Sequence, residues 1–197
     1  MGGVQSGGQA VGITTRAAPP IARGACSRRG FLVAEIYEVG ERFDHAFFAG
    51  TSCAFGVFDG VHAGHRYLLA QARETAGRSG GKSVALTFDI DPDEVFHPDR
   101  LKKLMTNGER LAMLAATGVD AVAVLPFTPA FASLSPEAFL EATFDGTAPA
   151  YLHVGCDFRF GARAAGTVGE LAAWGAGAGC AVAAHDLKSA DGAPVTA

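Results

Sequence analysis

The stretch FGVFDGVHAGH, residues 55–65, decides how the rest of the sequence is interpreted. It begins as an apolar run typical of a buried strand and stops at an Asp-Gly pair, which favours a turn. His62 and His65 then stand three residues apart, with Gly64 between them, where a helical pattern begins. The chain has only six histidines, so two of them at one strand-to-helix turn indicate a chemical role for that turn.

Strand and helix patterns alternate along the chain around this stretch. Short apolar runs predict five strands, over residues 51–58, 82–88, 119–127, 150–155 and 180–186. Between the first two, residues 65–78 have the periodicity of a helix, with one apolar face formed by Leu68, Leu69, Ala72 and Ala76. Such alternation is typical of a parallel sheet that is covered by helices on both faces. The fold class that we expect is therefore α/β, with a Rossmann-like sheet.

Helix starts are marked by their capping residues. Thr106 followed by Glu109, and Thr167 followed by Glu170, have the spacing of a capping box. The first of these helices is expected to turn Leu111 and Leu114 inward. The pair at 135–136, Ser followed by Pro, is typical of an N-cap and first helical position, and predicts a short helix around Phe139.

In parallel α/β sheets, ligands bind beyond the carboxyl ends of the strands, where the strand order reverses. The loops after Phe58, Phe88, Phe127 and Gly155 are therefore expected to meet at one edge of the sheet. The turn that carries the two histidines belongs to this edge. A helix start presents backbone N–H groups and a positive dipole end, which favour an anion such as phosphate.

Composition limits the class of protein. The chain has 197 residues, of which 49% are hydrophobic and 18% charged, and this suits one globular domain. Residues 1–30 are rich in Gly, Ala, Ser and Arg and have no acidic residue, so we expect a disordered or non-native tail. A transit peptide is an alternative for this segment, although it has no clear amphipathic face. The domain is then expected over 31–197.

Charge and cysteine content exclude several other classes. A net charge of −4 argues against a general nucleic-acid-binding protein, which usually has a basic surface. No apolar run approaches the length of a membrane span. The four cysteines are widely separated and form no CxxC pair, so we expect neither a disulfide framework nor a zinc knot. These features predict a cytoplasmic protein.

The histidine pair itself has two other interpretations. The rings could be ordinary polar loop residues that satisfy nearby backbone groups. Two histidines three apart on a helix could also share a zinc ion, but neither an HExxH glutamate nor a neighbouring Cys/His cluster supports this. We therefore expect no metal ion bound by protein side chains.

Four ordered blocks carry a resemblance to a known family. The motif VHAGH after an apolar strand resembles the H-x-G-H signature of the nucleotidyltransferase superfamily. In its longer form it is similar to the FMN adenylyltransferase (FAD synthetase) module of bacterial bifunctional riboflavin kinase/FAD synthetases. Three further blocks match that family in order, and the match covers most of residues 31–185: LTFDIDPDEVFHP, GVDAVAVLPFTPAFASLSPEAFL and VGCDFRFGARAAGTVGEL.

The resemblance implies a reaction and its substrates. The FMN phosphate attacks the α-phosphorus of ATP, and FAD and pyrophosphate are formed. Mg²⁺ is expected to be held mainly by the nucleotide phosphates. The phosphate monoester is already anionic at pH 7, so the site needs alignment and charge stabilisation rather than a general base. A pantetheine-phosphate or nicotinate-mononucleotide adenylyltransferase would share the H-x-G-H motif but is not expected to have the last two blocks.

The same resemblance assigns roles to residues. His62 and His65 are expected to be catalytic. The ATP phosphates are expected to contact Gly56, Phe58, Asp59, Gly60, Gly64 and Arg163. The flavin and nucleotide pocket is expected to include Phe88, Pro92, Asp157, Arg159, Phe160 and Gly161. For Arg159 and Arg163 a solvated position is the alternative, and for the phenylalanines, including Phe96, Phe127, Phe131 and Phe158, it is core packing.

The sequence departs from the family pattern in two places. The family has Phe-x-Pro-His-Pro where this chain reads FDIDP, so Ile90 and Asp91 replace Pro and His while Pro92 is kept. The family also continues into a Thr-Arg-Ile-Arg segment and a riboflavin kinase domain, whereas this sequence ends at Ala197. We therefore expect a truncated adenylyltransferase domain without the kinase. A non-catalytic flavin- or nucleotide-binding module is the alternative.

Overall fold

Six parallel strands form one sheet in the computed structural model, which describes residues 33–96 and 105–187. The strands are β1 (Glu35–Glu38), β2 (Ser52–Phe55), β3 (Ser83–Phe88), β4 (Ala121–Leu125), β5 (Tyr151–Gly155) and β6 (Ala181–His185). Their order across the sheet is β1-β4-β3-β2-β5-β6, and every neighbouring pair is parallel. The predicted α/β class is confirmed. The expected tail at 1–30 lies outside the described residues.

The strand predictions differ from the structure in two respects. β1 was not predicted, because its four residues, EIYE, form only a two-residue apolar run between two glutamates, and the strand lies at the sheet edge. The strand predicted over 51–58 ends at Phe55, because the chain then leaves the ladder and enters a tight turn. The other four strands lie within their predicted ranges.

Within residues 33–96 and 105–187, six α-helices connect and cover the strands. They are α1 (Ala63–Ser79), α2 (Pro92–Phe96), α3 (Asn107–Ala115), α4 (Pro129–Ala132), α5 (Pro136–Phe144) and α6 (Val168–Ala178). Both predicted capping boxes are present, at the starts of α3 and α6. The Ser135 hydroxyl accepts a hydrogen bond from the Ala138 N–H, as expected for the N-cap of α5. The short helices α2 and α4 were not predicted.

Side chains on opposite faces of the sheet enter two separate apolar clusters. On one face, Leu68 and Leu69 of α1 and Leu114 of α3 pack against Ala54 and Val122 of the strands. The other face is rich in phenylalanine and is covered by α5 and α6, through residues such as Phe139, Phe144 and Leu171. Helices thus lie on both faces, and β3 and β4 are buried along their whole length, as expected for central strands of such a sheet.

The strand order reverses beside β2. From β2 the chain moves to β3 and then β4 on one side, whereas β5 and β6 lie on the other side of β2. The carboxyl ends of β2 and β5 are therefore the switch point at which a ligand is expected. The H-x-G-H turn directly follows β2, so the topology places this turn at the switch point.

Two glycines of α6 provide a test of the packing between this helix and β6. A Cβ atom on Gly175 would lie 2.7 Å from the Cys180 carbonyl oxygen and 2.7 Å from Val182 Cγ2, whereas one on Gly177 would meet nothing within 4 Å. We predict that Gly175→Ala lowers the free energy of unfolding by about 1–3 kcal/mol through overpacking. Gly177→Ala, the matched control, should raise it by about 0.5–1 kcal/mol because alanine favours the helix. Urea denaturation measures both, and equal effects would contradict this packing.

Candidate active site

The turn between β2 and α1 has an unusual backbone. Phe58, Gly60 and Val61 all have positive φ angles, of 58°, 74° and 43°. Glycine tolerates this region, but for a bulky or β-branched residue it carries strain of the order of 1–3 kcal/mol. Phe58 and Val61 are only 0% and 2% exposed, so packing of their side chains in the core holds this backbone in place. The result is a fixed turn that aims the following residues at the start of α1.

Both histidines lie at the N-terminus of α1, as predicted. His62 is the N-cap residue, and its side chain makes no capping hydrogen bond. In contrast, α3, α4, α5 and α6 each begin at a Thr or Ser whose hydroxyl accepts a first-turn N–H. The N–H groups that start α1 therefore lack the usual side-chain acceptor, which leaves them available to an anion.

The two imidazole rings contact each other and the turn before them. Their centroids are 3.6 Å apart with an angle of 25° between the planes, so the rings are stacked. Phe58 packs edge-on against His65 at 5.2 Å. The His65 Nε2 atom lies 3.9 Å from Asp59 Oδ1, and the His65 side chain is only 12% exposed. His65 is thus packed against the rings of Phe58 and His62, with the Asp59 carboxylate 3.9 Å away.

Polar atoms at this turn are buried without partners. Both ring nitrogens of His62, Nδ1 of His65 and Oδ1 of Asp59 are inaccessible and make no hydrogen bond. A buried polar atom without a partner costs about 1–3 kcal/mol, so such atoms are rare and need an explanation. Their concentration in three residues around a helix start makes this turn a candidate binding site, and a ligand reaches these atoms only when the groups that cover them move aside.

The same three residues could be considered as metal ligands, because their donor atoms lie within 4.8 Å of one another. An imidazole binds a metal ion through a lone pair in the plane of its ring. Two nearly parallel rings 3.6 Å apart do not direct their lone pairs to one point. This arrangement suits hydrogen bonds to separate oxygens of one polyphosphate better than a shared metal ion.

Burial changes the protonation of this cluster. It lowers the pKa of His65 to about 3, and the neighbouring His62 contributes in the same direction. Burial also raises the pKa of Asp59, with a further contribution from the negative charge of Asp91. His65 is therefore neutral at pH 7, and its ring has one N–H to donate.

A cavity of about 1000 Å³ opens on the phenylalanine-rich face at the same edge of the sheet. It is lined by Val57, Phe88, Pro92, Phe96, Phe127, Phe131, Ala132, Ser133, Phe139 and residues 157–164. The loops after β2, β3, β4 and β5 all contribute, so the predicted meeting of these loops is confirmed. Val57 directly precedes Phe58, and it therefore joins the cavity to the histidine turn.

The predicted site residues fall into two groups. Those predicted to contact the ATP phosphates lie in or beside the β2–α1 turn, with the exception of Arg163. Arg163 instead lines the cavity, together with all six residues assigned to the flavin pocket: Phe88, Pro92, Asp157, Arg159, Phe160 and Gly161. The two groups are contiguous through Val57.

The cavity has a polar rim on the side of β5. Arg159, Arg163 and Asp157 are exposed there, and neither arginine forms an ion pair with another described residue. Gly161 has a φ of 72°, and a Cβ atom on it would lie 2.9 Å from the Pro136 nitrogen, so a glycine is required at this position. Phe88 and Phe160 are buried in the core and also line the cavity, so packing and lining are not alternatives for them.

Asp91 has a local structural role. Its Oδ1 accepts the Asp93 N–H at 2.9 Å, while its own N–H donates to Glu94 Oε1 at 3.0 Å. These reciprocal bonds resemble a capping box at the start of α2, which carries Phe96 beside Phe127 on the cavity wall. An aspartate therefore suits the position at which the family has histidine.

Two buried or anchoring residues were missed by sequence reasoning. Arg110 of α3 is 3% exposed, and its guanidinium donates to groups at the ends of β2 and β3. Asp89 Oδ1 accepts the N–H groups of Ile90 and Phe127, which ties the loop after β3 to the loop after β4. Arg110 is next to Leu111, which was predicted to face inward. An arginine in a helical pattern is normally predicted to lie at the surface, so nothing in the sequence indicated that Arg110 is buried.

Comparison with known proteins identifies the family. The family model of FAD synthetase matches residues 45–197, which is more than half of the chain. The chain belongs to the FAD synthetase family. The matched range contains the H-x-G-H turn, the cavity and all of the predicted site residues.

Curated relatives agree with this assignment. The chain is 34% identical over 148 residues to a bifunctional riboflavin kinase/FMN adenylyltransferase of Pseudomonas fluorescens, and the match covers 75% of this chain and 48% of that protein. A relative of the same name from Listeria monocytogenes is 34% identical over 126 residues, covering 63% and 40%. The one from Escherichia coli K12 is 36% identical over 115 residues, covering 57% and 37%. The chain thus spans about half or less of the length of these relatives.

A solved structure shares the fold. A crystal structure described as a macrolide-efflux protein from Streptococcus pneumoniae has a TM-score of 0.60 and 26% sequence identity, covering 75% of this chain and 48% of that one. Among the residues that the structure describes here, no helix has the length and apolar character needed to cross a bilayer.

The neutral state of His65 predicts a dependence of stability on pH. In the native protein the ring stays unprotonated down to about pH 3, whereas in the unfolded chain it binds a proton near pH 6.5. Below pH 6.5 the unfolded state therefore binds more protons, and the native protein loses stability as the pH falls. We predict that His65→Gln reduces this loss between pH 6.5 and about 3, as measured by denaturant titration across that range.

His153 serves as the comparison, because burial and the neighbouring His185 lower its pKa to about 4. His153→Gln should reduce the loss only between pH 6.5 and about 4. A His65→Gln variant with the pH dependence of the unchanged protein would contradict a neutral, buried His65.

Proposed function

We propose that this chain transfers AMP from ATP to FMN, producing FAD and pyrophosphate. The observation that carries the proposal is the contiguity of two sites of different chemistry. One is a helix start with unpartnered imidazole nitrogens, suited to phosphates. The other is an aromatic cavity suited to a flat heterocycle. Val57 lines the cavity and directly precedes the turn. ATP bound at the turn and FMN bound in the cavity would therefore meet near this residue.

On the phosphate side, the start of α1 and the two imidazoles bind the triphosphate of ATP. The free first-turn N–H groups and the positive helix end favour negative charge. His62 and His65 add N–H donors at positions from which water is excluded, and donors are worth more in such an environment than in water. Because His65 is neutral in the ligand-free structure, it enters the site as a hydrogen-bond donor rather than as a fixed positive charge.

On the flavin side, the cavity accommodates the isoalloxazine ring system. Its volume of about 1000 Å³ is at the upper end of the range for small-molecule sites. Aromatic walls such as Phe88, Phe127 and Phe131 match a planar apolar ring. Arg159 and Arg163 on the rim, which form no ion pair within the described ranges, supply positive charge for the anionic part of the substrates.

The chemistry is one phosphoryl substitution. An oxygen of the FMN phosphate forms a bond to the α-phosphorus of ATP, the bond from that phosphorus to the bridging oxygen breaks, and pyrophosphate leaves with the electron pair. The nucleophile is already anionic, so no proton has to be removed from it. The residues of this chain align the two substrates and stabilise the charge that builds on the α-phosphate and on pyrophosphate.

Mg²⁺ is proposed as the companion of ATP. It takes oxygen ligands and keeps several waters, so phosphate oxygens together with the unpartnered Asp59 Oδ1 would suit it, whereas the imidazoles would not. When bound, the ion neutralises charge on the triphosphate. Asp59 would thus supply an oxygen ligand to the cation. The imidazoles of His62 and His65 would donate hydrogen bonds to the anionic phosphates.

The cellular context is part of the proposal. Cys53, Cys156 and Cys180 are free thiols among the described residues, which supports a reducing compartment such as the cytoplasm. FMN is the product of phosphorylating riboflavin, so a riboflavin kinase reaction must supply this substrate. The curated relatives carry that activity in their names.

The direct test is to incubate the full chain with FMN, ATP and Mg²⁺ and to separate the flavins by chromatography. Formation of FAD with equimolar pyrophosphate supports the proposal. Binding of FMN and ATP without FAD formation would instead indicate a binding module. FAD formation should also be compared with adenylyl transfer to 4′-phosphopantetheine and to nicotinate mononucleotide, because turnover with one of these alone would overturn the choice of FMN.

We predict that His62→Ala and His65→Ala each lower kcat for FAD formation by about 10²–10³-fold, the effect of losing one preorganised donor to a developing oxyanion. His45→Ala is the matched control, because this histidine precedes β2 at the opposite edge of the sheet. Steady-state rates and melting temperatures should be measured for all three. If either site variant kept a rate near that of the control, the proposed role of its imidazole would be wrong.

Arg159 provides a test of the cavity rim. We predict that Arg159→Met weakens the binding of FMN by about tenfold, because a hydrogen bond to a charged group contributes about 1.5 kcal/mol or more. Riboflavin lacks the phosphate, and its affinity should stay unchanged. Quenching of flavin fluorescence gives both dissociation constants. An equal loss for both flavins would assign Arg159 to contacts with the ring, and no loss would remove it from the site.

A further inference from the structure

Arg110 is the one arginine among the described residues whose side chain is buried at the edge where the site lies. It belongs to α3, and its guanidinium reaches across to the ends of two strands. Its Nη1 donates to the Val57 carbonyl oxygen at 2.8 Å and to Thr87 Oγ1 at 2.9 Å. Its Nη2 donates to the Phe88 carbonyl oxygen at 2.6 Å.

These acceptors belong to the two halves of the site. Val57 precedes the histidine turn, whereas Thr87 and Phe88 end β3 and begin the aromatic wall. The Thr87 hydroxyl completes a triangle, because it donates to the same Val57 carbonyl oxygen at 3.0 Å. One guanidinium and one hydroxyl thus cross-link the chain just before the phosphate-binding turn to the chain at the start of the flavin-side loop.

The geometry requires an arginine. The guanidinium is planar and carries five N–H donors in a fixed fork, so two nitrogens can serve two strands at once, which a lysine ammonium cannot match. Burial lowers the pKa of Arg110, and the negative charges of four carboxylates, of Asp91, Glu94, Asp59 and Asp89, act in the opposite direction and favour the charged form. A buried cation surrounded in this way is held in one position.

We propose that Arg110 is a positioning residue that fixes the spacing between the phosphate-binding turn and the aromatic cavity, so that the two bound substrates meet in line. This role rests on the proposed function. Arg110 does not line the cavity. Its two terminal nitrogens donate to carbonyl and hydroxyl oxygens of the protein, and its Nε is buried without a partner among the described residues. It acts through Val57 on one side and Phe88 on the other.

This positioning role of Arg110 predicts a specific effect on the kinetics. Each half of the site can still bind its own ligand when the cross-link is lost, since the donors and the aromatic walls belong to separate loops. Only the relative placement of the substrates changes, and a misplacement of about 1 Å costs about 10²-fold in rate. Loss of Arg110 should therefore lower kcat and leave the separate affinities for FMN and for ATP nearly unchanged.

The experiment compares Arg110→Met, Arg110→Lys and Thr87→Val with Arg73→Met. Arg73 is the matched control, because it also donates to a backbone carbonyl, that of Thr117, but at the opposite end of α3. We expect kcat to fall by about 10²-fold in Arg110→Met and by less in Arg110→Lys, with dissociation constants for FMN alone and for Mg·ATP alone within about twofold of the unchanged chain. Arg73→Met should keep its kcat.

The Thr87→Val variant keeps the proposal testable if the Arg110→Met variant fails to fold. If Arg110→Met does not fold, Thr87→Val decides, since it removes only the bridging hydroxyl and keeps the volume. It should lower kcat several-fold with both affinities retained. A kcat within twofold of the unchanged chain in a folded Arg110→Met or in Thr87→Val, or a lost affinity for one ligand that accounts for the whole effect, overturns the proposal.

A second readout separates this proposal from the proposed function. Amide hydrogen exchange should increase in both loops, at residues 56–60 and 88–91, in the Arg110 variants and in neither loop in Arg73→Met. If the unchanged chain makes no FAD, the proposed function fails, and hydrogen exchange alone still decides whether Arg110 couples the loops. Increased exchange in one loop only would refute that coupling.

Discussion

The site depends on one constraint, which is that the start of α1 is left without an internal acceptor. A helix start is normally satisfied by a Ser, Thr or Asp side chain, and four other helices of this protein follow that rule. Here the N-cap is His62, whose ring nitrogens are themselves buried and unpartnered. The turn therefore carries an energetic cost, and we expect a ligand with several acceptor oxygens to offset the part of it that comes from unpartnered N–H donors.

The fold maintains this costly turn by surrounding it with rigid packing. Phe58 and Val61 keep left-handed backbone angles because their side chains are fully enclosed in the α1 face of the core. Gly64 allows a close approach, since the Cβ atom of Leu187, two residues after β6, would lie only 3.1 Å from a Cβ atom at this position and would have to shift. Strain at the turn and close approach from β6 together keep the imidazoles at the sheet edge.

The sequence predicted the elements that depend on local rules. The helix starts at Thr106 and Thr167 and the alternation of buried strands follow from capping chemistry and periodicity, which act within a few residues. The edge strand β1 could not be predicted, because its pairing with β4 is a contact of distant residues and its pattern is weak. Arg110 was missed for the same reason, since its burial depends on acceptors more than twenty residues away in the chain.

The sequence predicted the identity of the site residues more completely than the distances between the loops that carry them. The H-x-G-H motif and the blocks around Phe88 and Phe160 named residues that the structure places in the turn or along the cavity, but a motif cannot reveal how its loops are held at a fixed spacing. That spacing is a property of buried hydrogen bonds between backbone carbonyls and one guanidinium, which leave no pattern in the sequence. For the proposed transfer, which needs no general base, alignment of the two substrates would be the main catalytic task. The groups that set the spacing then matter to the rate as much as the groups that touch phosphate.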